Sequence, residues 1–126
     1  MEDELSVFMT DAWVEEKGLQ NIAAYQTFPQ FFLLAQRYGI PVEKIVRKMT
    51  GATVDRFGIT GRGYLKPGYK ADLTILDPAR LSVNEAKNDA RPGGVVHVYV
   101  NGHAVLSDGV YRGGTAGEVV LKARAE

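Results

Sequence analysis

The sequence contains no cysteine, so neither a disulfide framework nor a thiolate metal site can form. Charge of one sign is not in excess either. Fifteen basic residues balance fifteen acidic ones, which argues against nucleic acid or an anionic membrane as a partner. No apolar run approaches the roughly 18 residues of a membrane span, and the N-terminus is acidic where a signal peptide would be basic. These features predict a cytoplasmic globular protein whose 126 residues suffice for one domain or pieces of two.

Histidine is scarce as well, since only His97 and His103 are present. Both fall in a predicted β-hairpin with strands at 95–100 and 103–107 around the turn Asn101-Gly102, whose dipeptide favours a type I′ turn. The turn predicts three opposed pairs: Val100 with His103, Val98 with Val105, and His97 with Leu106. This register puts the two histidines on opposite faces of the hairpin, so they cannot chelate one metal between them. We therefore predict no metal ligands in this chain.

The first half of the sequence predicts three helices, at 27–39, 41–51 and 53–58, preceded by a loop at 13–26. The first helix would begin at the pattern Thr27-x-x-Gln30, which is typical of a capping box. Its predicted apolar face consists of Phe28, Phe31, Phe32 and Ala35. Such a stripe needs a partner surface, and the first 58 residues supply little of one. We expect these helices to pack against something larger.

Residues 5–11 form a short apolar run that ends in Asp11, which predicts a buried strand with a carboxylate at its C-terminal end. An aspartate after a strand is most often a turn former or a helix cap. Asp11 is nevertheless the first residue that the pattern marks for a chemical role.

The stretch from Gly61 to Asp77 joins the helical half to a strand-rich half. Lys66-Pro67-Gly68-Tyr69 has the residue order of a type II turn, and 73–76 predicts a strand. A surface loop at 82–94, a last strand at 118–121 and a frayed tail at 122–126 complete the prediction. The glycines fit neither a dinucleotide fingerprint nor a P-loop, and no nucleophile elbow is present, so no cofactor-binding residue is assigned.

The stretch from Gly61 to Asp77 resembles the segment by which amidohydrolase-superfamily enzymes leave their barrel and enter a small β domain. Residues 98–105 resemble the hairpin that closes that domain, and 46–51 with 56–58 resemble the helices just before it. Thr27-Phe-Pro followed by these elements is most similar to the N-acyl-D-amino-acid deacylase (D-aminoacylase) branch.

The resemblance implies an α+β fold in which 1–58 is the end of a metal-dependent (β/α)8 barrel and 59–126 is a small antiparallel β-sandwich-like domain. The intact parent would hydrolyse a linear amide C–N bond of an N-acyl amino acid with zinc. Its zinc ligands are histidines on earlier strands, and no complete zinc site would exist in this chain. Asp11 matches the aspartate that ends the eighth barrel strand and acts as acid and base.

On this reading the isolated chain is inactive, and its main partner is the barrel portion that it lacks. An unpaired sheet edge and the aromatic helix face would favour self-association. The alternative is a non-catalytic structural or interaction module that docks to a separate barrel subunit. Nucleic acid and membrane are not expected as partners.

Overall fold

The computed structural model describes residues 3–121, and the predicted tail at 122–126 lies outside that range. Seven elements follow in chain order: α1 (Ile22–Arg37), α2 (Val42–Met49), α3 (Gly51–Phe57), β1 (Leu73–Leu76), β2 (Val95–Val100), β3 (His103–Ser107) and β4 (Val110–Tyr111). Helices precede a single antiparallel sheet, which confirms the predicted α+β class. Within the described residues, no helix has both the length and the apolar character that crossing a bilayer requires.

Helix α1 begins five residues earlier than the sequence predicted. Its N-cap is Asn21, whose side chain accepts a hydrogen bond from the amide of Ala23 at 2.9 Å. The capping box at Thr27 is therefore wrong, and so is the loop prediction for residues 22–26. Thr27 instead donates its hydroxyl to the Ala23 carbonyl, and the helix continues through Pro29. A capping box is a local pattern, and it also occurs here inside a helix that begins one turn earlier.

The two helices that follow agree with the prediction except at their junction. Helix α2 has Pro41 at its N-cap, and α3 stops at Gly58, which adopts a left-handed φ of 66°. Gly51 does not end α2 but opens α3, because Thr50 is the boundary between them. Ile45, on α2, is 0% exposed and lies at the centre of the small apolar core.

The sheet has the order β1-β2-β3-β4, so β1 and β4 are its edges among the described residues. The chain enters it through the predicted type II turn, in which the Tyr69 amide donates to the Lys66 carbonyl at 3.1 Å. The turn Asn101-Gly102 and the pairing of Val100 with His103 are confirmed. Strand β4 was not predicted; it returns across the turn Asp108-Gly109.

The predicted register is wrong beyond the first pairs of the hairpin. Tyr99 lies opposite Ala104, but Val98 lies opposite Leu106, so Val105 is an extra residue on β3. This β-bulge replaces the predicted pairs Val98–Val105 and His97–Leu106. A bulge increases local twist, and the dipeptide at the turn carries no information about it.

Two predicted strands are absent from the part of the chain that the structure describes, namely those at 5–11 and 118–121. Both segments are irregular. An apolar run becomes a strand only when a neighbouring strand satisfies its amides and carbonyls, and neither segment pairs with one here.

The helices and the sheet are joined through a buried glutamine on α1. Gln26 is 2% exposed, and its side-chain amide donates to the carbonyls of Asn84 at 3.0 Å and Lys87 at 2.9 Å. Its oxygen accepts from the Asn84 amide. Asn88 adds a bond to the carbonyl of Gln20 at 2.8 Å. The loop between β1 and β2 is thereby fixed against the start of α1.

Candidate functional site

Asp11, the one candidate catalytic residue, lies on an exposed irregular segment instead of at the end of a strand. Its φ is 45°, in the left-handed region that aspartate tolerates better than most residues. The chain therefore turns sharply at Asp11 and presents the carboxylate to solvent. The structure brings no second predicted site residue to it, because the sequence offered none.

The segment that leads to Asp11 is held on the helices by a buried lysine. Lys48 is 4% exposed, and its ammonium donates to the carbonyls of Asp3 and Ser6 and to the hydroxyl of Ser6. The amide of Phe8 donates to the Lys48 carbonyl at 3.3 Å. The Phe8 ring stacks on Phe31 with ring centroids 4.1 Å apart. The aromatic face predicted to be exposed is thus partly covered, whereas Phe28 remains 38% exposed.

An open hollow of about 420 Å³ lies between this segment and helices α2 and α3. It is lined by Glu4, Val7, Arg47, Ala52, Asp55 and Arg56. Its charges are matched within the chain: Arg47 lies 3.6 Å from Asp55, and the Tyr64 hydroxyl donates to Asp55 at 2.6 Å. Arg56 donates to the carbonyl of Leu5 at 3.1 Å. These contacts tie the segment to the helices and use the side chains of Arg47, Asp55 and Arg56 in structural bonds.

The two histidines do not assemble a metal centre. His97 accepts a weak hydrogen bond from the Asp108 amide at 3.4 Å, and His103 is exposed on β3. Across residues 3–121, no three His, Asp or Glu side chains converge on a point where a metal ion could be held. The described residues therefore do not fit a metal site.

A polar cluster around Arg62 was missed by the sequence reasoning. Arg62 bonds to the carboxylate of Asp72, to the side-chain oxygen of Asn101 at 2.6 Å and to Glu118 at 2.5 Å. The Asn101 amide donates to Asp72 at 2.8 Å, and Lys70 lies 3.4 Å from Glu118. The partners are up to 56 residues apart, so only the bracketing glycines of Gly61-Arg-Gly63 hinted at a constrained arginine.

The charges of this cluster shift each other's pKa. Burial disfavours the charged form of Asp72, but hydrogen bonds from the Asn101 amide and from Arg62 outweigh it and hold the pKa of Asp72 below its usual value. The hydrogen bond from Arg62, followed by that from Lys70, lowers the pKa of Glu118. Hydrogen bonding to Asp72 raises the pKa of Arg62. The Asn101 side chain also donates to the Ala116 carbonyl at 2.7 Å, so the cluster is a polar clamp that fixes Ala116 and Glu118 against the hairpin turn.

Comparison with known proteins relates this chain to one enzyme family. The model of the amidohydrolase family matches residues 22–106, from α1 to β3. A D-aminoacylase from Alcaligenes xylosoxydans xylosoxydans is 41% identical over 87 residues, which is 68% of this chain and 18% of that protein. The chain therefore spans less than a fifth of the length of that relative.

Solved structures of similar fold are also D-aminoacylases. A crystal structure of D-aminoacylase, described as defining a subset of amidohydrolases, superposes with a TM-score of 0.74 and 38% identity over 80% of this chain and 22% of that one. A second D-aminoacylase structure, which concerns the binuclear metal centre of that enzyme, has the same TM-score, identity and coverage. The family match covers more than half of the chain, and the fold agrees with it. The chain belongs to the amidohydrolase family.

Proposed function

We propose that this chain is the C-terminal portion of an amidohydrolase of the N-acyl-D-amino-acid deacylase type, which hydrolyses a linear amide C–N bond. One observation carries the proposal: the chain matches D-aminoacylase over 80% of its own length but over only 22% of that enzyme. The similarity thus concerns a piece of an enzyme, and the activity belongs to the whole.

The proposed division of the chain is 1–58 as the end of the barrel and 59–126 as the small β domain. The helical half supports this because large apolar side chains stay exposed on it. Val42, Val46 and Phe28 are among them. A helix face of this kind stabilises a protein only when it is covered, so a missing barrel is the natural partner. In the isolated chain a second copy is the only available cover for this face, and self-association would result.

Asp11 is the proposed acid and base of the complete enzyme. In amide hydrolysis, one carboxylate can accept a proton from the attacking water and deliver it to the leaving nitrogen as the C–N bond breaks, and the products are a carboxylic acid and an amine, which at neutral pH become carboxylate and ammonium. The positive φ of Asp11 and its exposure suit a side chain that projects from the backbone toward a separate surface. We assign the zinc ligands of the complete enzyme to the portion outside this chain, since residues 3–121 offer none. It follows that the isolated chain is inactive, and we place the parent in the cytoplasm.

A chimera tests the proposal directly. The matching portion of the Alcaligenes D-aminoacylase is replaced by this chain, and hydrolysis of an N-acetyl-D-amino acid is followed. We expect turnover, and we expect Asp11→Asn to lower kcat by about a hundredfold or more, because general acid–base catalysis contributes factors of that size. Asp89→Asn, on an exposed loop, is the matched control. A folded but inactive chimera, or Asp11→Asn turnover within about threefold of the control, contradicts the proposal.

The second candidate is a non-catalytic module that docks to a separate barrel subunit. It is supported by the closed hydrogen bonding of the folded chain, in which Gln26 joins the helices to the sheet without outside help. The two candidates differ in covalent continuity. If a D-aminoacylase that lacks its matching portion regains activity when this chain is added as a separate protein, docking alone suffices. If only the fused chimera is active, the chain acts as part of one polypeptide.

A further inference from the structure

Lys48 is the most deeply buried charged residue among the described residues, at 4% exposure, and all three of its N–H donors are used. They point to the carbonyl of Asp3, to the carbonyl of Ser6 at 2.9 Å and to the hydroxyl of Ser6 at 2.7 Å. Every acceptor lies on the segment that precedes Asp11. Lys48 is therefore a residue of α2 whose side-chain hydrogen bonds all go to that segment.

The type of acceptor determines what the Lys48 ammonium holds in place. A buried ammonium is costly unless its protons are bonded, and here two carbonyl dipoles and a hydroxyl satisfy it without a carboxylate. Carbonyl acceptors fix the backbone itself, whereas a carboxylate partner would fix only a side-chain tip. An ion pair would stabilise the chain without fixing the backbone conformation. Lys48 instead fixes the position of the backbone at residues 3–6.

Additional contacts extend the anchor toward Asp11. The Lys48 carbonyl accepts from the Phe8 amide at 3.3 Å and from the Thr53 hydroxyl at 2.8 Å. Phe8 then stacks on Phe31 of α1. Asp11 follows three residues later, within about 10 Å of chain even when fully extended. The last fixed point before the candidate acid and base is therefore made by Lys48 and the residues that it touches.

We propose that Lys48 is a positioning residue for Asp11. It holds the segment 3–8 on α2 and so sets where the backbone leaves the helices to present the carboxylate. The inference rests on the proposed role of Asp11 in the complete enzyme. The anchor itself is a property of this chain and can be measured without any activity.

The first experiment is amide hydrogen exchange on the whole chain with Lys48→Met and Lys48→Arg. Lys44→Met is the matched control, because Lys44 lies one turn earlier on α2 and is half-buried. We expect Lys48→Met to speed exchange of a peptide covering 3–13 by about tenfold or more, since two carbonyls lose their donor. Exchange in the sheet should not change, and Lys48→Arg should restore part of the protection. Unchanged exchange at 3–13, or equal acceleration throughout the molecule, overturns the anchor.

The second experiment separates positioning from general stability in the chimera with D-aminoacylase. A positioning role predicts that Lys48→Met lowers kcat by about tenfold or more while KM stays within about twofold, with partial rescue by Lys48→Arg. An equal loss with Lys44→Met, or a rise in KM with kcat unchanged, contradicts it. If Asp11→Asn is harmless in the same chimera, the proposed function fails. The exchange experiment would then still report whether Lys48 anchors the segment.

Discussion

Replacing Gln26 with Met removes the polar joint between the helices and the sheet while keeping the length of the side chain. Three hydrogen bonds disappear, namely those to the carbonyls of Asn84 and Lys87 and the one from the Asn84 amide. A typical intramolecular hydrogen bond contributes about 0.5–1.5 kcal/mol, so the gross loss is about 1.5–4.5 kcal/mol. Asn84 and Lys87 are exposed, and water can replace part of what they lose. We therefore expect a net loss of about 1–3 kcal/mol.

The assay is equilibrium unfolding in urea, followed by circular dichroism. The midpoint should fall while the slope stays constant, because the substitution changes stability and not the surface exposed on unfolding. Gln36→Met, at an exposed position of α1, is the matched control and should change the free energy of unfolding by less than about 0.5 kcal/mol. A loss no larger than that of the control would refute the reasoning. Separate transitions for helices and sheet in the native chain would refute the joint itself.

Three further changes test the core, a loop and the polar clamp. Ile45→Ala should cost about 2–4 kcal/mol in urea unfolding because Ile45 is fully buried, whereas Val46→Ala, at a site 41% exposed, should cost less than about 1 kcal/mol. Gly94→Ala should destabilise the chain by about 1–3 kcal/mol, because the residue has a φ of 78° and the added Cβ would lie 2.6 Å from facing backbone. The pKa values of Asp72 and Glu118 are lowered in the folded chain, so their stabilisation is present above the ordinary values of 3.8 and 4.5 and is lost as the pH falls through the folded ones. Thermal unfolding below pH 4.5 should show this loss, and Asp72→Asn should make it shallower.

The sequence predicted those parts of the fold that depend on a few neighbouring residues. The turn Pro67-Gly68 is set by a fixed φ at proline and a φ of 82° at glycine, and both requirements can be read from the residues. The turn Asn101-Gly102 follows from the same reasoning, since both residues have a positive φ. Helix α2 was predicted because its apolar residues recur at helical spacing around Ile45.

What the sequence did not reveal depends on distant partners. The run at 5–11 has strand composition, but a strand needs a neighbour, and the described residues supply none. The bulge at Val105 is likewise a property of the sheet, not of the turn. Arg62 and Glu118 could not be linked in advance because 56 residues separate them. The capping-box pattern at Thr27 misled the helix start, because α1 begins at Ile22 and runs through that pattern.

The candidate site also combines a residue that the sequence predicted with contacts that only the structure shows. Asp11 was marked by the apolar run that ends in it, its catalytic role came from a resemblance, and that role stays a prediction. The contacts of Lys48 are invisible in the sequence, which shows only a basic residue in the last turn of a helix. Its three acceptors lie more than 40 residues upstream, so only the folded chain shows what it holds.

We propose that this chain completes an amidohydrolase active site whose metal ligands lie in another part of the enzyme. The most direct measurement is hydrolysis of an N-acetyl-D-amino acid by the purified chain alone, with zinc added, over the time in which a D-aminoacylase consumes its substrate. We expect no turnover above the uncatalysed rate. Zinc-dependent turnover that Asp11→Ala abolishes would contradict it, because the chain would then hold a complete catalytic site of its own.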